Sequence, residues 1–185
     1  MEATELLATR RSFGKLGEPA PQGEALEQIL AAALRAPDHG ALRPWFVLLV
    51  RGEGRARLGA IFAESLRRRR PDAGPEELER ERKKPERAPL LAVVVATVRP
   101  GPIPEVEQLL SAGCVAHGIV LGAQAHGFGA LWRTGEQAYD PWVAEQLGLG
   151  AADRIVGFVY VGSVRERPPE APRPAVSAVV RSWPA

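Results

Sequence analysis

One stretch constrains the fold more than any other: residues 105–134, which read EVEQLLSAGCVAHGIVLGAQAHGFGALWRT. The pattern predicts a long helix that passes through the turn Gly127-Phe128-Gly129 into a short strand from Ala130 to Thr134. Val106, Leu109, Leu110, Gly113, His117, Val120, Leu121 and Gln124 recur at helical spacing, so this mostly apolar stripe is expected to face the core. The other faces carry small residues: Ala112, Ala116, Gly118, Gly122, Ala123 and Ala125. A glycine inside a helix costs about 1 kcal/mol relative to alanine, so a close neighbour must offset it. That neighbour is a second helix, a cofactor or a partner chain.

Around this centre the chain alternates helices with buried strands. A short helix spans residues 2–8, and a second runs from about Gly23 to Arg35, with Leu26, Ile29, Leu30 and Leu34 on one face. The apolar run 44–50 is of strand length and is expected to be buried on both faces. A helix follows to about Arg70, then a charged segment, 71–85, that reads as an exposed helix flanked by loops. Further strands are expected at 90–98 and 155–161, with a helix at 141–147 between them. After Ser163 the chain carries five prolines before Ala175, which favours an extended arm. Residues 176–183 are expected to add a strand to this sheet or to a neighbour's. No repeat or linker divides the 185 residues, so one domain over 1–185 is expected, α/β or α+β in class.

Composition excludes several function classes. A 45% apolar, 25% charged chain is globular rather than disordered. The net charge of +2 makes the pI near 9.0 weak support for nucleic-acid binding. Arg67 to Arg70 reads as the solvated end of a helix, because no aromatic residues are interleaved with it. The lone Cys114 fits a reducing cytoplasm and reads as a buried packing residue. No secretory leader is apparent, and His117, Gln124 and His126 interrupt the apolar helix short of the ~20 residues a bilayer span needs. No membrane association is therefore expected. Gly52-Glu53-Gly54-Arg55-Ala56-Arg57 lacks the third glycine of a dinucleotide fingerprint, where Arg57 stands. His117 and His126, nine residues apart, point to opposite sides of a helix, so no metal site is expected.

Three polar clusters remain. Arg10-Arg11-Ser12, at a helix end, reads equally as a phosphate site built on charge-assisted hydrogen bonds or as a pair of surface arginines. Pro37-Asp38-His39 lies on a loop feeding a buried strand, and Trp132-Arg133-Thr134 ends another.

These clusters, with Ala36-Pro37-Asp38-His39, Arg43-Pro44-Trp45, Ser111-Ala112-Gly113-Cys114, Gly127 to Arg133 and Gly157 to Gly162, resemble the nitroreductase family of FMN-dependent oxidoreductases in order and spacing. The likeness spans residues 5–163 and is strongest to the short single-domain members. It implies an α+β nitroreductase-like fold, with a mixed central sheet flanked by helices. It also implies a homodimer with FMN at the subunit interface and an exchanged C-terminal arm, 164–185. By that resemblance Arg10, Arg11 and Ser12 hold the FMN phosphate and ribityl chain, while Arg35, Pro37 and His39 contact the flavin. Trp132, Arg133 and Thr134 close the phosphate side, and Gly122, Ala123, Gln124, Ala125, His126 and Gly127 meet NADH or NADPH. The implied activity is ping-pong hydride transfer through flavin N5 to nitroaromatics, quinones or related small acceptors. The alternative is a flavin-binding module, or other flavin chemistry on the same fold. No dedicated catalytic side chain is implied; His39 is a candidate proton donor, with positioning its favoured role. The chain departs from the family in one loop, where Ala41 and Arg43 replace residues that are usually polar and uncharged. Arg43 is the candidate for drawing an acidic or phosphorylated substrate to the flavin ring.

Overall fold

A computed structural model describes residues 2–169 and 172–184. Its centre is Leu90–Thr97 (β3), whose LLAVVVAT sequence is buried on both faces. Side chains alternate strictly: Leu90, Ala92, Val94 and Ala96 enter one apolar layer, and Leu91, Val93 and Val95 enter the other. β3 pairs with Trp45–Arg51 (β2) on one side and with Asp153–Val164 (β5) on the other. β5 also pairs with Gly129–Arg133 (β4) and, at its end, with Leu16–Gly17 (β1). Every one of these pairings is antiparallel, so among the described residues the sheet is not the mixed one expected. Each paired strand runs opposite to its neighbour, which also excludes a doubly wound dinucleotide fold around Gly52 and Gly54.

β2 is an edge strand, which corrects the expectation that it is buried on both faces. Among the described residues it pairs only with β3, its residues are largely half-buried, and Leu49 is exposed. Its apolar run reflects packing of alternate residues against the two layers rather than full enclosure.

Glu105–Ala125 (α5) and Gly23–Ala33 (α2) cover one face of the sheet, packed antiparallel. Their approach is set by glycine: a Cβ on Gly118 would stand 2.7 Å from the Ala33 Cα, and one on Gly122 3.2 Å from the Ile29 Cα. The face of α5 turned inward is the small one, with Ala112, Val115, Ala116, Ile119, Val120 and Ala123 buried. Much of the stripe expected in the core instead faces outward: Val106 is 58% exposed, Leu110 65%, and His117 is open as well. Cys114 lies on this outward face and is exposed, contrary to the buried packing role expected. Both stripes have helical period, and the close approach of α2 decides which one goes in, because Gly118 and Gly122 must face its backbone. At 21 residues and a mean hydropathy of 1.3, α5 does reach the length and composition of a bilayer span, beyond what its polar interruptions suggested. Its enclosure between the sheet and α2 accounts for about half of that apolar character.

Glu53–Arg69 (α3) and Pro141–Gln146 (α6) cover the opposite face, with Phe62 and Phe158 in edge-to-face contact at 5.1 Å. Asp140 caps α6 by accepting from the Trp142 N–H at 2.9 Å. Pro75–Arg82 (α4) packs beside α3, and Ala3–Thr9 (α1) lies near α5. The arginine run is ion-paired: Arg67 and Arg68 to Glu64, Arg69 to Glu136 and Arg70 to Glu77. Val176–Val179 (α7) is a helical turn rather than the strand expected there, and its valines are exposed.

Replacing Gly118 by valine should lower unfolding free energy by about 2–3 kcal/mol, through overpacking against the Ala33 backbone. Gly54→Ala in α3, where a Cβ meets only a Val50 methyl at 3.4 Å, should be neutral or stabilising by up to ~1 kcal/mol. Urea denaturation of the two variants checks the contrast.

Candidate functional site

The segment that carries the first polar cluster is bonded to the strand whose far end carries the third. The Phe13 N–H donates to the Ala130 carbonyl at 2.9 Å, laying residues 10–14 along the start of β4. The Arg11 backbone N–H donates to Gln124 Oε1 at 3.2 Å, so the end of α5 fixes the same segment. The Arg11 guanidinium donates to the Pro168 carbonyl at 3.1 Å, at the root of the arm.

β4 divides its own residues between the two faces of the sheet. Leu131 stands opposite Tyr160 and Arg133 opposite Phe158, so both side chains share the α3 face with those aromatics. Trp132 goes to the other face. The β3–β5 register skips Val156, a bulge that frees its carbonyl to accept from the Trp132 indole N–H at 3.3 Å. Gly157 leaves space for that indole, and a Cβ on Gly113 of α5 would stand 3.7 Å from it.

On the α3 face lies a cavity of about 700 Å³, lined by Lys84, Arg87, Arg133, Thr134 and Tyr160 among others. It shares Arg87, Arg133 and Tyr160 with a smaller hollow of about 320 Å³, walled by Phe13, Gly14, Leu16 and Leu131. The size suits a cofactor or drug-sized ligand. Lys84 is paired with Glu81 at 2.5 Å, whereas Arg87 and Arg133 make no hydrogen bond or ion pair among the described residues. Tyr160 is only 5% exposed. Burial pushes its phenol up to about 12, against the opposing pull of Arg87 and Arg133. The site is thus cationic, with a neutral hydroxyl at its base.

The second cluster stands apart. Ser111 of α5 donates its hydroxyl to the Pro37 carbonyl, and His39 Nδ1 pairs with Glu107 at 2.7 Å. These contacts tie the loop to the start of α5, while Arg11 is tied to Gln124 near its end. At about 1.5 Å rise per residue, Glu107 and Gln124 are about 25 Å apart. One chain therefore does not bring Pro37 and His39 to the cavity, and Arg35 and Arg43 lie exposed on the same remote side. The loop is sharply bent: Gly40, Ala41 and Arg43 have φ of 70°, 51° and 47°. The Arg43 N–H donates to Asp38 Oδ2 at 2.7 Å, which holds the bend. Left-handed backbone at non-glycine residues is strained and concentrates at functional sites.

Of the remaining expected residues, Gly122 packs on α2, Ala123 is buried and Gln124 positions Arg11 and Thr9. Ala125, His126 and Gly127 stay open at the helix end. Sequence reasoning missed Lys84, Arg87 and Tyr160. The two cations lie in a charged run that reads as surface, and Tyr160 lies in an apolar strand; a tyrosine at an inward register position was the one available signal. Another hollow, about 590 Å³, lies between α6 and the start of β5. Asp140, Asp153 and Arg154 there are engaged in local hydrogen bonds, so it gathers fewer reactive groups.

The sequence matches the Nitroreductase family over residues 7–163. It is 42% identical over 166 residues to the Escherichia coli K12 protein named "Putative NAD(P)H nitroreductase YdjA", covering 88% of each chain. The fold superposes on a nitroreductase-like family protein from Bacillus cereus with a TM-score of 0.86, at 24% identity, over 100% of this chain and 97% of that one. A nitroreductase with bound FMN from Bacteroides fragilis aligns with a TM-score of 0.74 at 18% identity, over 98% of both chains.

Two outcomes follow from this geometry. Ala41→Gly should stabilise the protein by about 0.5–1 kcal/mol by relieving a left-handed alanine, read as a raised urea midpoint. Because the Tyr160 phenol is raised to about 12 when folded and titrates near 10 when unfolded, its contribution is complete below pH ~10. That contribution is lost as pH rises through ~12, about 3 kcal/mol in all. Alkaline denaturation of wild type should show this loss, and Tyr160→Phe should lack it.

Proposed function

This chain belongs to the nitroreductase family and is an oxidoreductase, and on that premise we propose that it binds FMN in the cavity beneath Arg133. With NADH or NADPH as reductant, it reduces nitroaromatics, quinones or related small acceptors in a ping-pong cycle. When bound, FMN supplies hydride acceptance and donation at N5, chemistry that no side chain here provides.

The residues present fit such a group. The side chains of Arg87, Arg133 and Tyr160, without hydrogen-bond or ion-pair partners among the described residues, form a cationic wall suited to an electron-rich ligand. In this reading Arg10, Arg11 and Ser12 take the phosphate and ribityl chain, a role supported by the Phe13–Ala130 hydrogen bond that ties their segment to β4. Trp132, fixed by Val156 and Gly157, and Thr134 border the site. The open helix end, Ala125 to Gly127, with Gln124 positioning Arg11, is the region for the nicotinamide nucleotide.

The observation that carries the reading is the separation of the clusters along one uncovered helix face. Arg35, Pro37, His39 and Arg43 lie at one end of α5 and Arg10 to Ser12 at the other, with Val106, Leu110, Cys114, His117 and Leu121 outward between them. A second copy turned end for end on this stripe covers the apolar side chains and carries its 37–43 loop to the first copy's cavity. A homodimer of single-domain chains then completes two sites, and the arm has a partner to embrace. His39, paired with Glu107, serves to position ligand in that arrangement. Arg43, held by the strained loop, meets the acidic substrate. A cytoplasmic location accords with the unpaired Cys114.

Freshly purified protein should be yellow, release FMN on denaturation, sediment as a dimer and oxidise NAD(P)H with a quinone. Leu110→Glu on the outward stripe should give a monomer with at least tenfold weaker FMN binding. A flavin-loaded protein without NAD(P)H turnover would make it a binding module, and a protein that takes up no FMN would end the reading.

A further inference from the structure

The hollow of about 590 Å³ between α6 and the start of β5 has an apolar floor, formed by Leu109, Ala144, Leu149, Ile155 and Val156. Gly148 ends α6 in a left-handed turn, with φ of 73°, and the Leu149 N–H donates back to the Ala144 carbonyl at 2.9 Å. That turn sets Leu149 beside Ala144. The rim is acidic, since Asp140, Glu145 and Asp153 line it and Arg154 is the one lining cation among the described residues. Arg154 is already engaged: its guanidinium donates to the Ala151 and Asp153 carbonyls at 2.7 and 2.9 Å, and its Nε faces Glu105 at 3.9 Å. Asp140 accepts from Ser65 and the Trp142 N–H, with the Arg69 Nε 3.7 Å away. Asp153 accepts from neutral donors, the Thr97 hydroxyl at 2.6 Å and the Gly150 N–H at 2.8 Å. The Glu145 carboxylate has no hydrogen bond or ion pair among the described residues. Tyr139, 76% exposed on the same wall, has no side-chain partner among them either. The hollow thus joins an apolar floor to an open aromatic ring and two carboxylates that lack a cationic partner.

We propose that this hollow is a second small-molecule site, which takes an apolar ring carrying a protonated amine. It is separate from the flavin cavity and does not rest on the FMN reading. Concave sites for small molecules combine a mostly apolar lining with a few placed polar groups, and the volume here suits one such ligand. The floor covers the ring, and Glu145 and Asp153 at the rim meet the ammonium group. The Tyr139 ring offers its face to the same cation. The rim carboxylates stay partly hydrated, so they select by charge more than they add affinity. A neutral or anionic ring of equal size gains the floor without the rim. The cavity beneath Arg133 has the opposite sign, with Lys84, Arg87 and Arg133 on its wall. Anionic nucleotides are therefore drawn to that cavity and repelled from this one, so the two hollows do not compete for one ligand.

The test is isothermal titration of the full-length protein, with FMN in excess to fill the flavin cavity. Two probes share one ring: 1-naphthylmethylamine, cationic at neutral pH, and 1-naphthoate, anionic. The amine should bind about tenfold more tightly than the naphthoate, and high salt should narrow the difference. Glu145→Gln should weaken amine binding about threefold and leave the naphthoate no weaker. Ala144→Trp, which fills the floor, should abolish binding of the amine. Glu79→Gln, at an exposed acid of α4 paired with Arg82 and Lys83, should leave amine affinity unchanged. Because the Glu145 side chain is exposed and unbonded among the described residues, its variant decides the matter even if Ala144→Trp folds poorly. Equal affinity for the two probes, no binding of the amine, or an unchanged amine affinity in Glu145→Gln overturns this inference and leaves the FMN reading intact. A protein that takes up no FMN ends the flavin reading alone, and the same titration still decides this one.

Discussion

The close approach of α5 to α2 and the sheet is the contact on which the remaining structure depends. Helices usually meet at about 8–10 Å, the distance that ordinary side chains require. Gly118 and Gly122 remove the side chains that would hold α2 away, and Ala112, Ala116 and Ala123 do the same toward β3 and β5. Dispersion attraction between the closely packed backbones offsets the helix propensity lost at the glycines. This approach fixes the rotation of α5 about its axis, and the rotation decides which residues are left outside.

The outward face is the consequence. Val106, Leu110 and Leu121 are apolar enough for a core, but the rotation that sets Gly118 and Gly122 against α2 turns them away from it. α5 is therefore apolar on two sides, one satisfied within the chain and one not. Its ends hold the polar clusters in place: Gln124 fixes Arg11, and Glu107 and Ser111 fix the 37–39 loop. One helix thus acts as a core element and as the anchor of two polar clusters, and its outward face is the surface on which a second copy is proposed to join them into one site.

On the opposite face, the site is built from strand register. A single skipped residue, Val156, changes which β5 side chains face α3 and leaves a carbonyl for Trp132. Alternation along β4 then separates Trp132 from Arg133, although the two are adjacent in sequence. Residues of one motif accordingly line different sides of the sheet. The Arg133 side chain is joined by Tyr160, from the Gly157–Gly162 stretch, and by Arg87, which belongs to no motif.

The order of helices and strands was legible because it depends on local properties: period, turn residues and apolar runs at Leu90–Thr97 or 105–125 give their elements directly. The family resemblance identified Arg10 to Ser12, Pro37 to His39 and Trp132 to Thr134 as a set, and in the structure Phe13, next to the first, is bonded to Ala130 in the strand that carries the third. Local pattern could not decide that β2 lies at an edge, that the described sheet is antiparallel throughout, or that Cys114 and Leu110 face outward. Each depends on which element occupies the neighbouring space. Lys84, Arg87 and Tyr160 were hidden for the same reason, since charge in a surface-like run and a tyrosine in a buried strand become a site only when the chain folds them onto one cavity. The sequence by itself determined the elements, their chemistry and the family. Tertiary structure alone decided their facing, because facing is set by volume and register between distant segments, and neither quantity is local.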